Sequence, residues 1–247
     1  MLTETLLLHD IDIGRDCLFE LLADYSLLVR KRKRKKIFTT DSNHPFRKYP
    51  NIIKELAIIA PNQVWVSDIT YIALINNFCY LSLITDAYSR KIVGFCLYPT
   101  LEKEGPLNAL EMALFAWDNP LKDKLIHHSD RGLQYCSNAY TAKLGNSGAF
   151  ISMTERGDPY ENAIAERVNG ILKSEFLLNR TFKNLEEASE SVNQSINTYN
   201  SLRPHGSCDY LTPDQAHLKK GPLTAKWKSK HKKETVTEQL AVCLTVN

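Results

Sequence analysis

No stretch of this 247-residue sequence approaches the ~18 consecutive apolar residues of a membrane span, so no membrane partner is expected. The opening, MLTETLLLHD, has a short apolar run but no basic start and no small-residue cleavage site, so a secretory signal is not expected either. None of the six cysteines (Cys17, Cys79, Cys96, Cys136, Cys208 and Cys243) forms a C-x-x-C pair, and they are scattered along the chain. That scatter argues against a zinc knuckle or a disulfide framework and for a reducing, cytoplasmic setting. No internal repeat is visible. What is present is a globular composition, 43% hydrophobic, long enough for one domain of roughly 150–200 residues with appendages.

The net charge of +3 hides an asymmetry. Arg30, Lys31, Arg32, Lys33, Arg34, Lys35 and Lys36 form an unbroken basic run, and without these seven charges the rest of the chain is at −4. A second basic stretch, KWKSKHKK, lies near the C-terminus. Basic segments at both ends suit a polyanion, and nucleic acid is the partner expected.

The pattern divides the chain. Residues 1–36 read as a partial helix-turn-helix-like segment ending in the basic run, with Cys17, Leu18, Leu21 and Leu22 at helical spacing after Gly14. Residues 37–60 read as a linker, with turn formers and the breakers Pro45 and Pro50. From residue 61 to 218 the expected order is β-β-β-α-β-α-β-α-α: three meandering strands, then alternating helices and strands. That order predicts an α/β fold, a mixed five-stranded sheet flanked by helices. Residues 219–247 read as a basic tail.

Three carboxylates stand out. Asp68 sits mid-strand in NQVWVSDITYIAL, where Val64, Val66, Asp68, Thr70 and Ile72 share one side. An unpaired buried carboxylate there costs several kcal/mol, so it needs a partner. Asp130 ends the fourth strand in HHSDRG, and strand ends of α/β sheets are where sites gather. Glu166 lies on a helix expected to begin near Glu161, on a polar line with Asn162, Asn169 and Lys173. The apolar stripe of that helix runs through Ile164, Val168, Ile171, Leu172 and Phe176. Clustered carboxylates repel, and a divalent cation removes the problem. Oxygen-only ligands favour Mg²⁺ or Mn²⁺, and two such ions about 4 Å apart serve in-line phosphoryl transfer.

Between Asp68 and Asp130 lie 61 residues, and between Asp130 and Glu166 lie 35. This D, D, D-x35-E spacing resembles the signature of retroviral-integrase-like transposases. Four stretches narrow the resemblance: NQVWVSDITYI, HHSDRGLQYCS, SMTERGDPYENAIAERVNGILKSEF and YNSLRPHGSCDYLTPDQAH. In this order they resemble the second-frame transposase of bacterial insertion sequences of the IS-three family, over about residues 11–220. The resemblance implies a ribonuclease-H-like core, with Asp68, Asp130 and Glu166 as catalytic residues and ligands of two Mg²⁺ (or Mn²⁺) ions. It implies cleavage at transposon ends and strand transfer into target DNA, without a covalent protein–DNA intermediate. It implies that Lys173 contacts DNA near the transposon end. The implied partners are double-stranded DNA, further copies of the chain in a synaptic complex, and an upstream-frame helix-turn-helix protein. The setting implied is the bacterial cytoplasm, at the nucleoid when DNA is bound.

Other residues are weighed against local roles. His128 reads as a histidine behind the carboxylates rather than a ligand. Asn162 is expected to cap its helix, with support of the metal shell as the alternative. Asp86 reads as a structural turn carboxylate, and Tyr199, Arg203, Pro204 and His205 fit either packing or a DNA-facing role. Two rivals stay open here: a degenerate product that binds DNA without cutting, and a ribonuclease-H-like nuclease.

Overall fold

The computed structural model describes residues 2–7, 9–28, 43–117, 124–155 and 162–224. The basic run at Arg30–Lys36, Glu161 and the tail from residue 225 onward lie outside the described residues. Two helices come first, α1 (Leu2–Leu7) and α2 (Arg15–Asp24), the second with Gly14 at its N-cap.

The catalytic-size body follows. β1 (Val64–Leu74), β2 (Phe78–Asp86) and β3 (Ile92–Tyr98) form the expected antiparallel meander. α3 (Glu104–Ala116) leads to β4 (Ile126–Ser129). A short helix that periodicity does not reveal, α4 (Leu133–Cys136), precedes α5 (Asn138–Asn146) and β5 (Phe150–Met153). α6 (Ala163–Glu175), the two-residue β6 (Thr181–Phe182), α7 (Leu185–Leu202) and α8 (Pro213–His217) complete the order. α7 opens on an Asn184 side-chain cap, and α8 on a capping box from Thr212 and Gln215. The strand order is β3-β2-β1-β4-β5, with β6 added to β1 as a sixth strand beyond the five expected.

Helices cover both faces. Trp65 and Ile69 point to the side where Ala109, Leu110, Leu144 and Met153 pack. Val64, Val66 and Ile72 point to the other, against Ala165 and Val168 of α6 and Val192 of α7. The even positions of β1 therefore share one side, as the alternation predicts. Because helices bury both sides, β1 begins as four successive buried residues rather than alternating wet and dry. α3 sits so close to β3 that a Cβ on Gly94 would strike the Ala109 carbonyl.

Residues 43–60 form no helix or strand, and they are stitched to the core. Ile52 N donates to Ser152 Oγ at 3.1 Å, Met153 N to the Pro50 carbonyl at 3.3 Å, and His44 Nε2 meets the Arg131 carbonyl at 2.9 Å. Phe46 and Tyr49 pack on the α3 side of the core. The five described cysteines are free thiols, and among the described residues no helix is long and apolar enough to cross a membrane.

Candidate active site

β1 pairs along one edge with β2 from Trp65 to Ala73. Its other edge is shared. β4 runs parallel to it from Val64 to Val66, and β6 joins only at Ala73 and Leu74. Between them the edge of β1 has no strand neighbour, and Asp68 lies in that gap. The β1–β4 register, Val66 opposite His128, carried two residues further brings Asp130 level with Asp68. Neighbouring strands run about 4.8 Å apart, so the two aspartates meet where β4 ends.

The gap leaves backbone groups to satisfy, and α6 satisfies them. Asn162 Nδ2 donates to the Ser67 carbonyl at 3.0 Å. Asn162 does occupy the N-cap position of α6, but its side chain makes no capping hydrogen bond. The capping expectation is corrected in that respect: the free sheet edge outcompetes the helix N–H groups for this amide. One turn beyond Glu166, Asn169 Nδ2 donates to Asp68 Oδ2 at 2.7 Å. That amide is the partner Asp68 required.

Burial, then the Asp130 charge, push the Asp68 carboxyl up to about 7; Glu166 adds to this, while the bonds from Asn169 and the Ile69 backbone oppose it. The residue as a whole is only half-buried, so its carboxylate sits at the floor of a recess that stays open. Asp130 Oδ1 accepts from the Gly132 N–H at 2.9 Å, which fixes the turn after β4. Glu166 is exposed, and burial of its carboxyl nonetheless raises its pKa. The three predicted carboxylates thus act on one another across β1, the end of β4 and α6. Among the described residues no three His, Cys, Asp or Glu side chains stand in ion-holding geometry.

The donor set can be tested against a divalent cation on this structure alone. It is carboxylate oxygen, with a hydrogen-bonded carboxyl on Asp68 that resists ionisation because it is buried and because like charge lies beside it. A hard cation relieves that repulsion and favours such oxygens, so the residues fit.

The polar line on α6 is not a wet face. Asn162, Asn169 and Lys173 are all buried, and only Glu166 of the four is exposed. The Lys173 ammonium lies 3.8 Å from the centre of the Tyr71 ring. The apolar stripe holds as expected, with Val168, Ile171 and Leu172 buried and Phe176 edge-on to Tyr199.

His128 is buried at the end of β4, where Nδ1 meets Ser152 Oγ of β5 at 2.8 Å. Sequence reasoning missed the layer behind the site. His127 Nε2 meets Ser67 Oγ at 2.6 Å and Tyr140 Oη at 2.9 Å, and burial pushes its imidazole down to about 3, so it is neutral. Tyr135, whose buried hydroxyl has no hydrogen-bond partner among the described residues, lies in the field of Asp68 and Asp130. The words HHSDRGLQYC contained these residues, but their role depends on which face of β4 each takes.

The remaining candidates make the following contacts. Asp86, fully buried at the end of β2, accepts from Asn62 N, Ser89 N and Ser89 Oγ at 2.6–2.7 Å. Tyr199 Oη donates to the Arg90 carbonyl, and Arg203 grips Glu175 at 2.7 and 2.8 Å. His205 stacks edge-on against Tyr199.

Comparison with known proteins adds the following. Residues 59–159 match a family profile described as an integrase core domain, and residues 147–213 match a second of the same description. The chain is 39% identical over 207 residues to the insertion element IS600 uncharacterized 31 kDa protein of Shigella sonnei, across 83% of this chain and 75% of the relative. It is 33% identical over 182 residues to the transposase for insertion sequence element IS629 of Shigella sonnei, across 74% of this chain and 60% of the relative. It is 35% identical over 156 residues to transposase InsF for insertion sequence IS3A of Escherichia coli K12, across 63% of this chain and 54% of the relative. The match therefore spans less than two thirds of these two transposases.

Among solved structures, the HTLV-2 integrase catalytic core domain in complex with magnesium (dimeric form) superposes with a TM-score of 0.50 at 20% identity, over 64% of this chain and 97% of that one. A chain of the simian T-cell lymphotropic virus intasome in complex with PP2A regulatory subunit B56 gamma superposes with a TM-score of 0.56 at 17% identity, over 94% and 76%. These likenesses show the ribonuclease-H-like, integrase-core fold.

Proposed function

Because the chain belongs to the insertion-sequence transposases with an integrase core, polynucleotidyl transferases of the carboxylate-triad type, we propose that Asp68, Asp130 and Glu166 are its catalytic residues. The reaction is cleavage at the ends of its element followed by joining of the freed 3′ ends to target DNA. The observation that carries this reading is Asp68: a carboxyl on the central strand, lifted to about 7 by burial and by its two carboxylate neighbours.

Asp68, Asp130 and Glu166 would hold two Mg²⁺ or Mn²⁺ ions. Bound there, the cations supply activation of the attacking oxygen and stabilisation of the leaving one. The chain's own residues do the rest. Asn169 orients the Asp68 carboxylate, and the Gly132 N–H holds that of Asp130. Asn162 ties the start of α6 to β1, which sets where Glu166 stands. His128, bonded to Ser152, keeps the end of β4 in register with β5, so Asp130 leaves the sheet at a fixed place. Lys173, held over Tyr71, offers its charge to a DNA strand entering the recess.

The partners are double-stranded DNA at the transposon ends and target, further copies of the chain in a synaptic complex, and an upstream-frame helix-turn-helix protein. Residues 1–36, with the basic run Arg30–Lys36, and the tail 219–247 act as DNA-binding appendages of the 61–218 core. The protein works in the bacterial cytoplasm, at the nucleoid. In the test, Glu166→Gln removes one charge and keeps the side chain's shape. It should abolish end cleavage while duplex affinity stays within about twofold, since phosphate contacts elsewhere dominate affinity. A fully active Glu166→Gln protein sinks the assignment.

A further inference from the structure

The face of α6 turned away from Asp68 borders a cavity of about 680 Å³. α6 lines it with Ile164, Arg167 and Val168, the turn after β2 with Arg90, and the segment after α7 with Arg203 and His205. Among the described residues no carboxylate lines it. Glu175 meets the Arg203 charge through the Nε–Nη2 edge of the guanidinium. Arg167 is exposed and makes no ion pair among the described residues. Arg90 Nη1 is buried and has no hydrogen-bond partner among the described residues, an arrangement that costs free energy until an acceptor arrives.

Two further observations converge on the same place. Arg90 has φ of 67°, a left-handed backbone that a residue with a Cβ adopts at a cost. Its backbone is pinned on both sides, by the Asp86 carbonyl and by the Tyr199 hydroxyl. His205 reports the field. Burial, and then the charges of Arg203, Arg90 and Arg167, push its imidazole down to about 3. Its Nε2 faces the Arg203 Nη1 donor at 3.1 Å and so accepts, which leaves the ring proton on Nδ1.

We propose that this notch holds a phosphodiester of the DNA backbone, gripped by Arg90 and Arg167 with the Arg203–His205 pair behind them. The proposal rests on the reading of the chain as a DNA-joining enzyme and adds a second contact point to it. Arg167 follows Glu166 directly, and successive residues on a helix point about 100° apart. A strand crossing the first turns of α6 therefore meets the carboxylates on one side and the notch on the other. Guanidinium forks match phosphate oxygens in pairs, and the positive N-terminal end of the α6 dipole favours an anion there.

The test is the salt dependence of binding of a fluorescein-labelled 40-bp duplex to the full chain. Each phosphate contact contributes about 0.9 to the slope of log affinity against log salt. Arg167→Gln and Arg90→Gly are each expected to flatten the slope by up to about 0.9. The double variant flattens it by about 0.9 rather than twice that, because both side chains hold one phosphate. Arg90→Gly relieves the left-handed backbone, so its melting temperature stays at or above wild type and the loss cannot be misfolding. Lys143→Gln, which breaks a pair with Glu111 on another surface, leaves the slope unchanged.

Unchanged slopes in folded Arg167→Gln and Arg90→Gly overturn the proposal. So does a notch that binds 10 mM inorganic phosphate while the duplex slope stays at the wild-type value. In a Glu166→Gln background the slope loss should persist, so a failure of joining and a failure of the notch are read separately.

Discussion

Asp68 and Asp86 stand on adjacent strands three ladder pairs apart, Asp68 opposite Leu83 and Asp86 opposite Trp65, and they teach different things about a carboxylate inside a protein. Asp86 is the more deeply buried, yet two backbone N–H groups and a hydroxyl donate to it, and His217 lies 3.8 Å away. Asp68 keeps some contact with solvent but has one side-chain amide and the Ile69 backbone for partners and two carboxylates for neighbours. Burial does not separate the functional aspartate from the structural one. The supply of donors does: a structural carboxylate is saturated by the fold, and a ligand carboxylate is left wanting a cation.

That contrast can be broken first at Asp86. Asp86→Ala strips the acceptor from three donors in a buried network and should cost about 3–5 kcal/mol of stability, read by urea denaturation. A loss below about 1 kcal/mol would place Asp86 outside the structural class. The buried histidines sharpen the same point through pH. His127 and His205 have folded values near 3 against an ordinary 6.5, so the stability they contribute is present above pH 6.5 and drains away as pH falls towards 3. Melting curves of the metal-free protein should show a loss on the order of 2–3 kcal/mol between pH 6.5 and 4.5. His205→Gln should shrink that loss.

Asn169→Ala comes next. Removing the one amide on Asp68 should lower joining activity, or the affinity for Mn²⁺, by about 10–100-fold, the usual cost of losing a group that orients a ligand. Wild-type activity in this variant would mean that Asp68 needs no orienting partner. The smallest effect carries the opposite sign from the histidines. Asp68 titrates near 7 when folded and near 3.8 when unfolded, so its ionisation costs the native state progressively as pH rises through that window. Asp68→Asn should therefore stabilise the metal-free protein at pH 8 by about 1–2 kcal/mol, allowing for the solvent that reaches this residue, and by nothing at pH 3.

The reading of the sequence singled out the three carboxylates because their surroundings are local words. An aspartate among β-branched residues and a D-x35-E interval are visible without coordinates, and so is the apolar stripe of α6. Less legible was everything that depends on where strands stop. β4 ends at Ser129 and β6 joins only at Ala73, and this opens the gap that draws Asn162, Asn169 and Lys173 inward. A helical wheel shows that those residues share a line but not that the line faces a sheet edge. The two-residue β6 and four-residue α4 are too short to carry a period. The stitching of residues 43–60 runs through single bonds to Ser152, Met153 and Arg131, which no composition announces.

The most direct measurement of the central claim is joining of a pre-cleaved transposon end to target DNA in Mn²⁺, with wild type beside Asp68→Asn. The account predicts joined product from the wild type and a fall of at least about a thousandfold in the variant, with duplex binding intact. Joining by Asp68→Asn at the wild-type rate would contradict it.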